Sequence, residues 1–263
     1  MWRACLCAGR FLTRLPLPDP GPLDGPVLGR AVLCYPLVGL VIGGLLSGTL
    51  WTLLQLHPGP VVPSQAAPLA ALVLIAWVWL TGGLHLDGLA DSADAWVGGL
   101  GDRARTLEIL GDPRIGAIGA LALGLALMAK WSALLALIVA GDLWPLLWVP
   151  VLGRVQILLL MLSTPYARPG GMAAHALSYL PRGWAWLSVV LTLALMGLAL
   201  VLDPGWIGSG WGWLLPLGVA GATLALWRRS MLRRLGGFTG DTAGALVEMT
   251  EAAVLLALAL GSV

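Results

Sequence analysis

The chain has 263 residues and a formal net charge of +2; 59% of its residues are hydrophobic and only 11% are charged. Soluble domains usually carry about 25% charged residues, so this composition, with a mean hydropathy of +0.89, excludes an ordinary soluble domain. Apolar runs of about 20 residues, the length that crosses a bilayer core as a helix, recur along the chain. We therefore predict an all-α, polytopic membrane helical bundle that occupies residues 1–263 as one integral membrane domain, surrounded by lipid and without a nucleic-acid partner.

Residues 1–30 are predicted to form a cytoplasmic segment that begins with a short helix lying in the membrane interface. Three arginines interrupt its apolar run and three prolines follow, which is not the pattern of a signal peptide. These residues are Arg3, Arg10, Arg14, Pro16, Pro18 and Pro20. Cys5, Cys7 and Cys34 are interpreted as small, unpaired apolar residues in a reducing compartment.

Apolar runs bounded by proline, glycine and charge predict about seven transmembrane helices. They cover residues 31–56, 67–84, 115–140, 145–163, 184–202, 212–227 and 242–262. Thirteen arginines lie in residues 1–30 and in the loops near 85–114, 164–183 and 228–241, whereas the loops 57–66, 141–144 and 203–211 contain no Lys or Arg. The positive-inside rule then predicts a bacterial cytoplasmic (inner) membrane protein with its N-terminus in the cytoplasm and its C-terminus outside.

Two basic residues, Lys130 and Arg154, fall inside predicted spans. Charges at such depth usually face a partner or a wet cavity. We expect Lys130 to be paired, while for Arg154 both substrate contact and structural pairing remain open.

The stretch GGLHLDGLADSADAW, residues 82–96, opens a cytoplasmic acidic segment over 85–114. Asp87, Asp91 and Asp94 follow i, i+4, i+7 spacing, so a helix here would present all three carboxylates on one face. Stacked like charges repel unless cations lie among them, and oxygen ligands with substrate phosphates suit Mg²⁺. The stretch therefore predicts a magnesium site, with His85 as a ligand, a general base or an interfacial residue.

The stretch ILGDPRIGAIGALALG opens the third predicted span. Asp112 is predicted to cap that helix with Pro113 at its first position. Arg114 then points to the cytoplasmic face, where phosphate contact and a merely structural role are both open. Gly116 and Gly119 permit close approach of another backbone.

The stretch STPYARPGG, residues 163–171, is predicted to be a loop. Its Tyr166 is available for stacking and its Arg168 for bidentate phosphate contact.

The stretch GGFTGDTAGALVEMTEA, residues 236–252, introduces the last predicted helix with Thr239 and Asp241. Glu248 and Glu251 fall on the same helical stripe as Asp241, and acids inside an apolar helix are by default functional. We expect them to meet the Asp cluster or Lys130 inside the bundle.

Together these residues predict a membrane-embedded site that opens to the cytoplasm, with carboxylates for one or two divalent ions and arginines for phosphates. This pattern favours phosphoryl or phosphodiester transfer. One alternative is a CDP-alcohol phosphotransferase, whose aspartate pattern DGLADSADAW imitates only in part. A second is a cation-coupled transporter, although the two halves of the chain show no internal repeat.

The motifs FLTRLPLP, GGLHLDGLADSADAW, LGDPRIGAIGA, PYARPGG and GGFTGDTAGALVEMTEA, in this order over nearly the whole chain, resemble the cobalamin synthase family. Its members are also called adenosylcobinamide-GDP ribazoletransferases or cobalamin-5′-phosphate synthases. The resemblance implies a Mg²⁺-dependent membrane enzyme of vitamin B12 nucleotide-loop assembly. Its substrates would be adenosylcobinamide-GDP and α-ribazole or α-ribazole 5′-phosphate, and its products adenosylcobalamin, or the corresponding 5′-phosphate, and GMP.

The resemblance also suggests roles for individual residues. The catalytic residues would be Asp87, Asp91, Asp94, Asp241 and Glu248. Metal ligands among them would be Asp87, Asp91, Asp94 and Glu248. The candidate substrate- and phosphate-binding residues are His85, Arg14, Arg114, Lys130, Arg154, Tyr166, Arg168 and Thr239.

Overall fold

The computed structural model describes residues 1–56, 61–168, 170, 172–202 and 214–261. Within these residues the chain is a helical bundle, and pairing outside helices is limited to an isolated bridge between Tyr166 and Phe238. The helices are α1 (Trp2–Leu12), α2 (Gly25–Ala31), α3 (Tyr35–Gln55), α4 (Pro63–Thr81), α5 (Leu84–Gly98), α6 (Arg103–Ile109), α7 (Ala117–Ala140), α8 (Trp144–Ser163), α9 (Met172–Ser178), α10 (Arg182–Leu202), α11 (Leu214–Leu235) and α12 (Gly240–Gly261). A 3-10 turn, Val32–Cys34, joins α2 to α3.

Six helical segments in the described part of the chain are long and apolar enough to cross a membrane. They are Gly25–Gln55, Pro63–Thr81, Ala117–Ala140, Trp144–Ser163, Arg182–Ala199 and Gly240–Gly261. The seventh predicted span, 212–227, corresponds to α11, which continues to Leu235 and carries four arginines in its last eight residues. The predicted loop 203–211 and part of the loop 57–66 lie outside the described residues.

Close backbone contact between small residues holds the bundle together. In α3, Gly39 and Gly43 lie against the backbone of α8, where a Cβ at Gly39 would be 2.7 Å from the carbonyl oxygen of Pro150. Small residues permit such approach between membrane helices. On its other side α8 packs against α12, which also contacts α5, α7 and α11 and is therefore the central helix.

α4 and α5 are two parts of one broken helix. Gly82 and Gly83 separate them with φ of +64° and +71°, a conformation that glycine adopts at no steric cost. α7 runs beside both parts, since its Trp131 Nε1 donates to the carbonyl oxygen of Ala67 in α4 while its Gly119 lies against Ala90 in α5. α5 therefore lies at one end of the bundle, where α7, α10 and α12 begin and α8 and α11 end; we call this the polar end.

The cysteines differ from the prediction that all three are unpaired. Cys5 and Cys34 are joined as a disulfide with their Cα atoms 5.4 Å apart, because α1 packs against the 3-10 turn. Cys7 is free and buried, as predicted.

Candidate active site at the polar end of the bundle

Carboxylates from two distant parts of the chain converge at the polar end. The segment that carries Asp87 and Asp91 is helical, which meets the condition for these carboxylates to share a face, and α5 lies directly against the first turn of α12. A Cβ at Gly88 would be only 2.5 Å from the carbonyl oxygen of Asp241, so the two backbones touch. Asp87, Asp91 and Asp241 are called the acidic cluster below.

Burial and neighbouring carboxylates both act on Asp91 in the acidic cluster. The pKa of Asp91 is raised to about 6, first by burial and then by the charges of Asp87, Asp241 and Asp94, while Arg168 lowers it. The site thus holds more negative charge than its surroundings neutralise, which is the condition that favours a bound cation.

Arg168 pairs with the acidic cluster. Its Nη1 lies 3.5 Å from Oδ2 of Asp241, and its Nη2 donates to the carbonyl oxygen of Leu107 at 3.1 Å. The loop that carries Arg168 is fixed by two backbone hydrogen bonds, since Ala167 N–H donates to Phe238 at 2.8 Å and Phe238 N–H donates to Pro165 at 2.9 Å. This pairing places the predicted loop arginine beside the predicted last-helix aspartate.

Thr239 is buried and caps α12 instead of facing open space. Its N–H donates to Thr242 Oγ1 at 2.8 Å, and Thr242 N–H donates back to Thr239 Oγ1 at 3.3 Å. Its hydroxyl also lies 3.4 Å from Oδ2 of Asp241. Thr239 therefore orients the acidic cluster from the helix start.

Asp94 caps a helix other than its own. Its carboxylate accepts from the N–H groups of Gly116 at 2.7 Å and of Gly119 at 2.9 Å, at the start of α7. The prediction that Asp112 caps this helix with Pro113 at its first position is therefore wrong, because α7 begins four residues later, at Ala117.

Asp112 pairs with Arg114 instead. Arg114 donates through Nε at 2.9 Å and Nη2 at 2.7 Å, and its side chain is 86% exposed. These hydrogen bonds lower the pKa of Asp112 to about 2. Arg114 lines neither of the cavities described below.

The buried charges form one network deeper in the bundle. Lys130 Nζ of α7 donates to Glu248 Oε2 and to Glu251 Oε2, both at 2.6 Å, and it lies 4.7 Å from the ring centroid of Trp77. Arg154 of α8 is fully buried and donates to Oε1 of Glu251. The expectation that Lys130 is paired is confirmed, with Glu248 and Glu251 as its partners, and for Arg154 the structure supplies structural pairing.

His85 connects this network to α5. It is buried, and its Nδ1 lies 3.4 Å from Nη2 of Arg154. Burial lowers the pKa of His85 well below its ordinary value, and the charges of Arg154 and Lys130 lower it in the same direction. A neutral His85 that accepts from Arg154 is thus two residues from Asp87.

A first cavity of about 570 Å³ opens beside Asp87. Its other walls include Arg10, Phe11, Arg14, Ile115 and Leu123. The side chain of Arg14 makes no hydrogen bond or ion pair with the described residues, and it lies against Gly82, where a Cβ would collide with its guanidinium. The glycine break thus both turns the chain and admits this arginine.

A second cavity of about 730 Å³ opens beside Arg168. It is also lined by Tyr166, Arg182 and three hydroxyl residues, Ser163, Thr164 and Ser178. The ring of Tyr166 stands edge-on to Phe238 with centroids 5.2 Å apart. Arg182 Nη2 donates to the carbonyl oxygen of Leu162 at 2.5 Å.

The cavity residues that were not among the sequence-predicted site residues include Arg10, Phe11 and Arg182. Arg10 lies in the last turn of α1, whereas Arg14 follows the end of that helix at Leu12, so helical spacing did not link the two arginines. Arg182 follows Pro181 at the start of α10, and its place in the sequence did not indicate a functional site either. Across the described residues, no three His, Cys, Asp or Glu side chains form a group that could hold a metal ion by themselves.

The sequence is similar to one protein family over almost its whole length. A family model described as cobalamin-5-phosphate synthase matches residues 4–259. The chain is 49% identical over 257 residues to an adenosylcobinamide-GDP ribazoletransferase of Stutzerimonas stutzeri (strain A1501), which covers 97% of each chain. Proteins of the same name from Pseudomonas putida (strain GB-1) and Pseudomonas syringae pv. syringae (strain B728a) are 47% and 51% identical, over 97% and 95% of this chain and 98% and 96% of theirs. No solved structure matches.

Proposed function

Because the chain belongs to the cobalamin-5-phosphate synthase family, we propose that it catalyses the reaction for which its relatives are named. It transfers the phosphate-bearing cobinamide arm of adenosylcobinamide-GDP to α-ribazole or α-ribazole 5′-phosphate. The products are adenosylcobalamin, or its 5′-phosphate, and GMP. We place the reaction in the bacterial cytoplasmic membrane, on the cytoplasmic side.

The observation that carries this proposal is the contact between α5 and α12. It brings Asp87 and Asp91 to the start of the helix that carries Asp241, where Arg168 also lies. Adjacent carboxylate and guanidinium groups are what transfer of a charged phosphoryl group needs, since catalysis there consists almost entirely of positioning and charge stabilisation.

The donor set fits Mg²⁺, which commonly binds through one or two carboxylates together with substrate phosphates and water. A complete protein cage is therefore not required, and the absence of a three-residue group among the described residues agrees with a site that the pyrophosphate completes. One or two carboxylates of the acidic cluster would bind the ion together with the substrate phosphates. When bound, it would neutralise phosphate charge in the transition state.

Residues of the chain would also bind the phosphates and accept the proton of the attacking hydroxyl group. Arg168 contacts Asp241 and carries a planar guanidinium that suits bidentate contact with a phosphate bound beside the acidic cluster. Arg14 lines the same cavity as Asp87, and its side chain has no partner of its own among the described residues. One carboxylate of the cluster takes the proton of the attacking hydroxyl group.

Asp94 and Glu248 take positioning roles in this proposal. Both were predicted to be metal ligands, but Asp94 is used by the first turn of α7 and Glu248 by Lys130. Removing either from its partner would leave buried polar groups unpaired, which is costly. The same argument assigns Lys130, Arg154 and His85 to the support of α5 and α12.

GMP release from adenosylcobinamide-GDP and α-ribazole, followed in membranes at limiting Mg²⁺, tests the proposal. Asp91→Asn and Asp241→Asn should each reduce the rate about 100-fold, the range expected for loss of a charge-stabilising or proton-accepting group. Glu108→Gln is the matched control, because Glu108 is an exposed carboxylate of α6 at the same end of the bundle.

Full activity of both cluster variants would overturn the site assignment. Lipid formation from a CDP donor, with no product from the GDP donor, would instead identify a CDP-alcohol phosphotransferase. Substrate uptake into vesicles without bond cleavage would identify a transporter.

A further inference from the structure

The acidic cluster has a cavity at each of its two ends. The first cavity reaches Asp87, and the second reaches Arg168, whose guanidinium contacts Asp241. The two cavities share no lining residue. Both open at the polar end, because the first lies where α4 ends and α7 begins and the second lies where α8 ends and α10 begins.

Phosphoryl transfer places the attacking and the leaving oxygen roughly in line, on opposite sides of the phosphorus. We propose that the second cavity binds the guanosine monophosphate part of adenosylcobinamide-GDP and that the first cavity binds α-ribazole. This assignment rests on the proposed function and deepens it by giving each substrate its own side of the acidic cluster.

The first cavity suits the base of α-ribazole. This base, dimethylbenzimidazole, has no exocyclic polar group, so apolar walls and an aromatic neighbour would favour its binding. Phe11, Ile115 and Leu123 supply those walls, and Asp87 stands at the end where the ribose hydroxyl group would meet the phosphorus.

The second cavity suits a guanine nucleotide. Guanine presents a carbonyl oxygen and two kinds of N–H group at its edge, and a site that leaves them unpaired would be penalised. Ser163, Thr164 and Ser178 bring hydroxyl oxygens that retain free acceptor positions. Tyr166 offers a ring for stacking, and Arg168 and Arg182 provide positive charge for the phosphate.

In this arrangement one bond to phosphorus forms as another breaks, and the two substrates enter from different cavities. The 3′-hydroxyl oxygen of α-ribazole, entering from the first cavity, forms a new bond to the phosphorus that carries the cobinamide arm. The bond from that phosphorus to the bridging oxygen breaks, and GMP departs into the second cavity with the electron pair. The hydroxyl proton passes to a carboxylate of the acidic cluster.

Separate Michaelis constants for the two substrates test the assignment. Tyr166→Ala should raise the KM for adenosylcobinamide-GDP and the inhibition constant of GMP about tenfold, the usual effect of losing one base-stacking contact. Its KM for α-ribazole should stay within about twofold of the wild type. Phe11→Ala should raise the KM for α-ribazole and leave GMP inhibition unchanged. Tyr166→Phe and Phe11→Tyr keep the rings and should restore both constants.

Second variants, Ser178→Ala and Leu123→Ala, repeat the test where an aromatic truncation prevents membrane insertion. The opposite pattern, or equal shifts of both constants in both sets of variants, would overturn the assignment. Equilibrium dialysis of GMP and of α-ribazole with the purified wild type and with Tyr166→Ala and Phe11→Ala gives an independent measurement, because each variant should weaken the binding of one compound only. If the wild type binds both but releases no GMP, the proposed function fails while the dialysis still decides which cavity binds which compound.

Discussion

At the scale of single residues, the same side-chain chemistry has different uses according to what faces it. Asp87 lines a cavity, whereas Asp94, seven residues later on the same face, has both oxygens occupied by the N–H groups of Gly116 and Gly119. A helix start offers N–H groups without intrahelical partners, and a carboxylate that satisfies them stabilises the helix. Asp94 therefore fixes where α7 begins relative to the acidic cluster.

Substitution of Asp94 separates this capping role from metal binding. Asp94→Ala should lower the stability of the protein by about 1 kcal/mol, the usual effect of losing a helix cap, and its melting temperature in detergent by about 2–4 °C. Asp94→Asn should keep most of that stability, because an amide oxygen still caps a helix. Thermal unfolding of both variants measures the difference. Equal melting temperatures for Asp94→Ala and the wild type would contradict the capping role.

The sequence predicted the helical face that these aspartates share but not the partner of Asp94. The i, i+4, i+7 spacing predicted that Asp87, Asp91 and Asp94 share a helical face, since this depends only on local geometry. The partner of Asp94 is 22 to 25 residues away and becomes visible only when α5 and α7 are packed together. The capping role assigned to Asp112 failed for the same reason, because a better-placed carboxylate came from elsewhere in the chain.

At the scale of elements, the site depends on how closely α5 approaches α12. Gly88 and Gly244 lie at this contact, and a Cβ at Gly244 would be 3.3 Å from the Cα of His85. The two helices thus touch through backbone where the acidic cluster forms. A side chain at Gly88 would separate them and move Asp241 away from Asp87.

Gly88→Ala should therefore reduce both stability and GMP release. The added Cβ would lie 2.5 Å from the Asp241 carbonyl oxygen, and neither of two packed backbones yields easily. Gly124→Ala in α7 is the matched control, because no atom lies within 4 Å of its added Cβ. There the substitution should be neutral or stabilising by about 0.5–1 kcal/mol, the general helix preference for alanine. Melting temperature and initial rate of both variants, measured together, check this; an active and stable Gly88→Ala would contradict the contact.

The sequence predicted which segments form long helices more accurately than it predicted where those helices begin and end. Apolar runs placed α7 at 115–140 and α8 at 145–163, close to the observed Ala117–Ala140 and Trp144–Ser163. The predicted span 67–84 ran through Gly82 and Gly83, which instead end α4 and start α5. α11 extends past the predicted residue 227, and two arginines of this extension donate to other helices. Arg228 donates to the carbonyl oxygen of Ser163 at the end of α8, and Arg234 donates to that of Trp96 in α5.

At the scale of the whole molecule, one charge network joins four helices that are distant in the chain. Lys130, Arg154, Glu248 and Glu251 contribute two positive and two negative charges, and His85 adds α5. Such a balanced group is tolerated inside a bundle, whereas one uncompensated charge is not. The sequence predicted that Lys130 would pair but could not choose its partner among the acids.

Lys130→Met should destabilise the protein by about 3–5 kcal/mol, because it leaves two buried carboxylates with only Arg154 to balance them. Adding Glu248→Gln removes the excess negative charge, so the double variant should recover part of that loss. A double-mutant cycle on unfolding in detergent measures the coupling. Additive losses would show that Lys130 and Glu248 act independently and would contradict the network.

The distribution of arginines predicts the orientation of the whole bundle in the membrane, and this prediction can be checked directly. Glu108 lies at the polar end with the acidic cluster, and Ser64 lies at the start of α4, at the opposite end; both are exposed. If arginine-rich loops face the cytoplasm, a membrane-impermeant maleimide applied to intact cells should label Ser64→Cys and spare Glu108→Cys, in a background with Cys5, Cys7 and Cys34 replaced by alanine. Permeabilised cells should label both variants, which controls for reactivity. Labelling of Glu108→Cys alone in intact cells would place the acidic cluster outside, where a cytoplasmic GDP-activated substrate could not reach it.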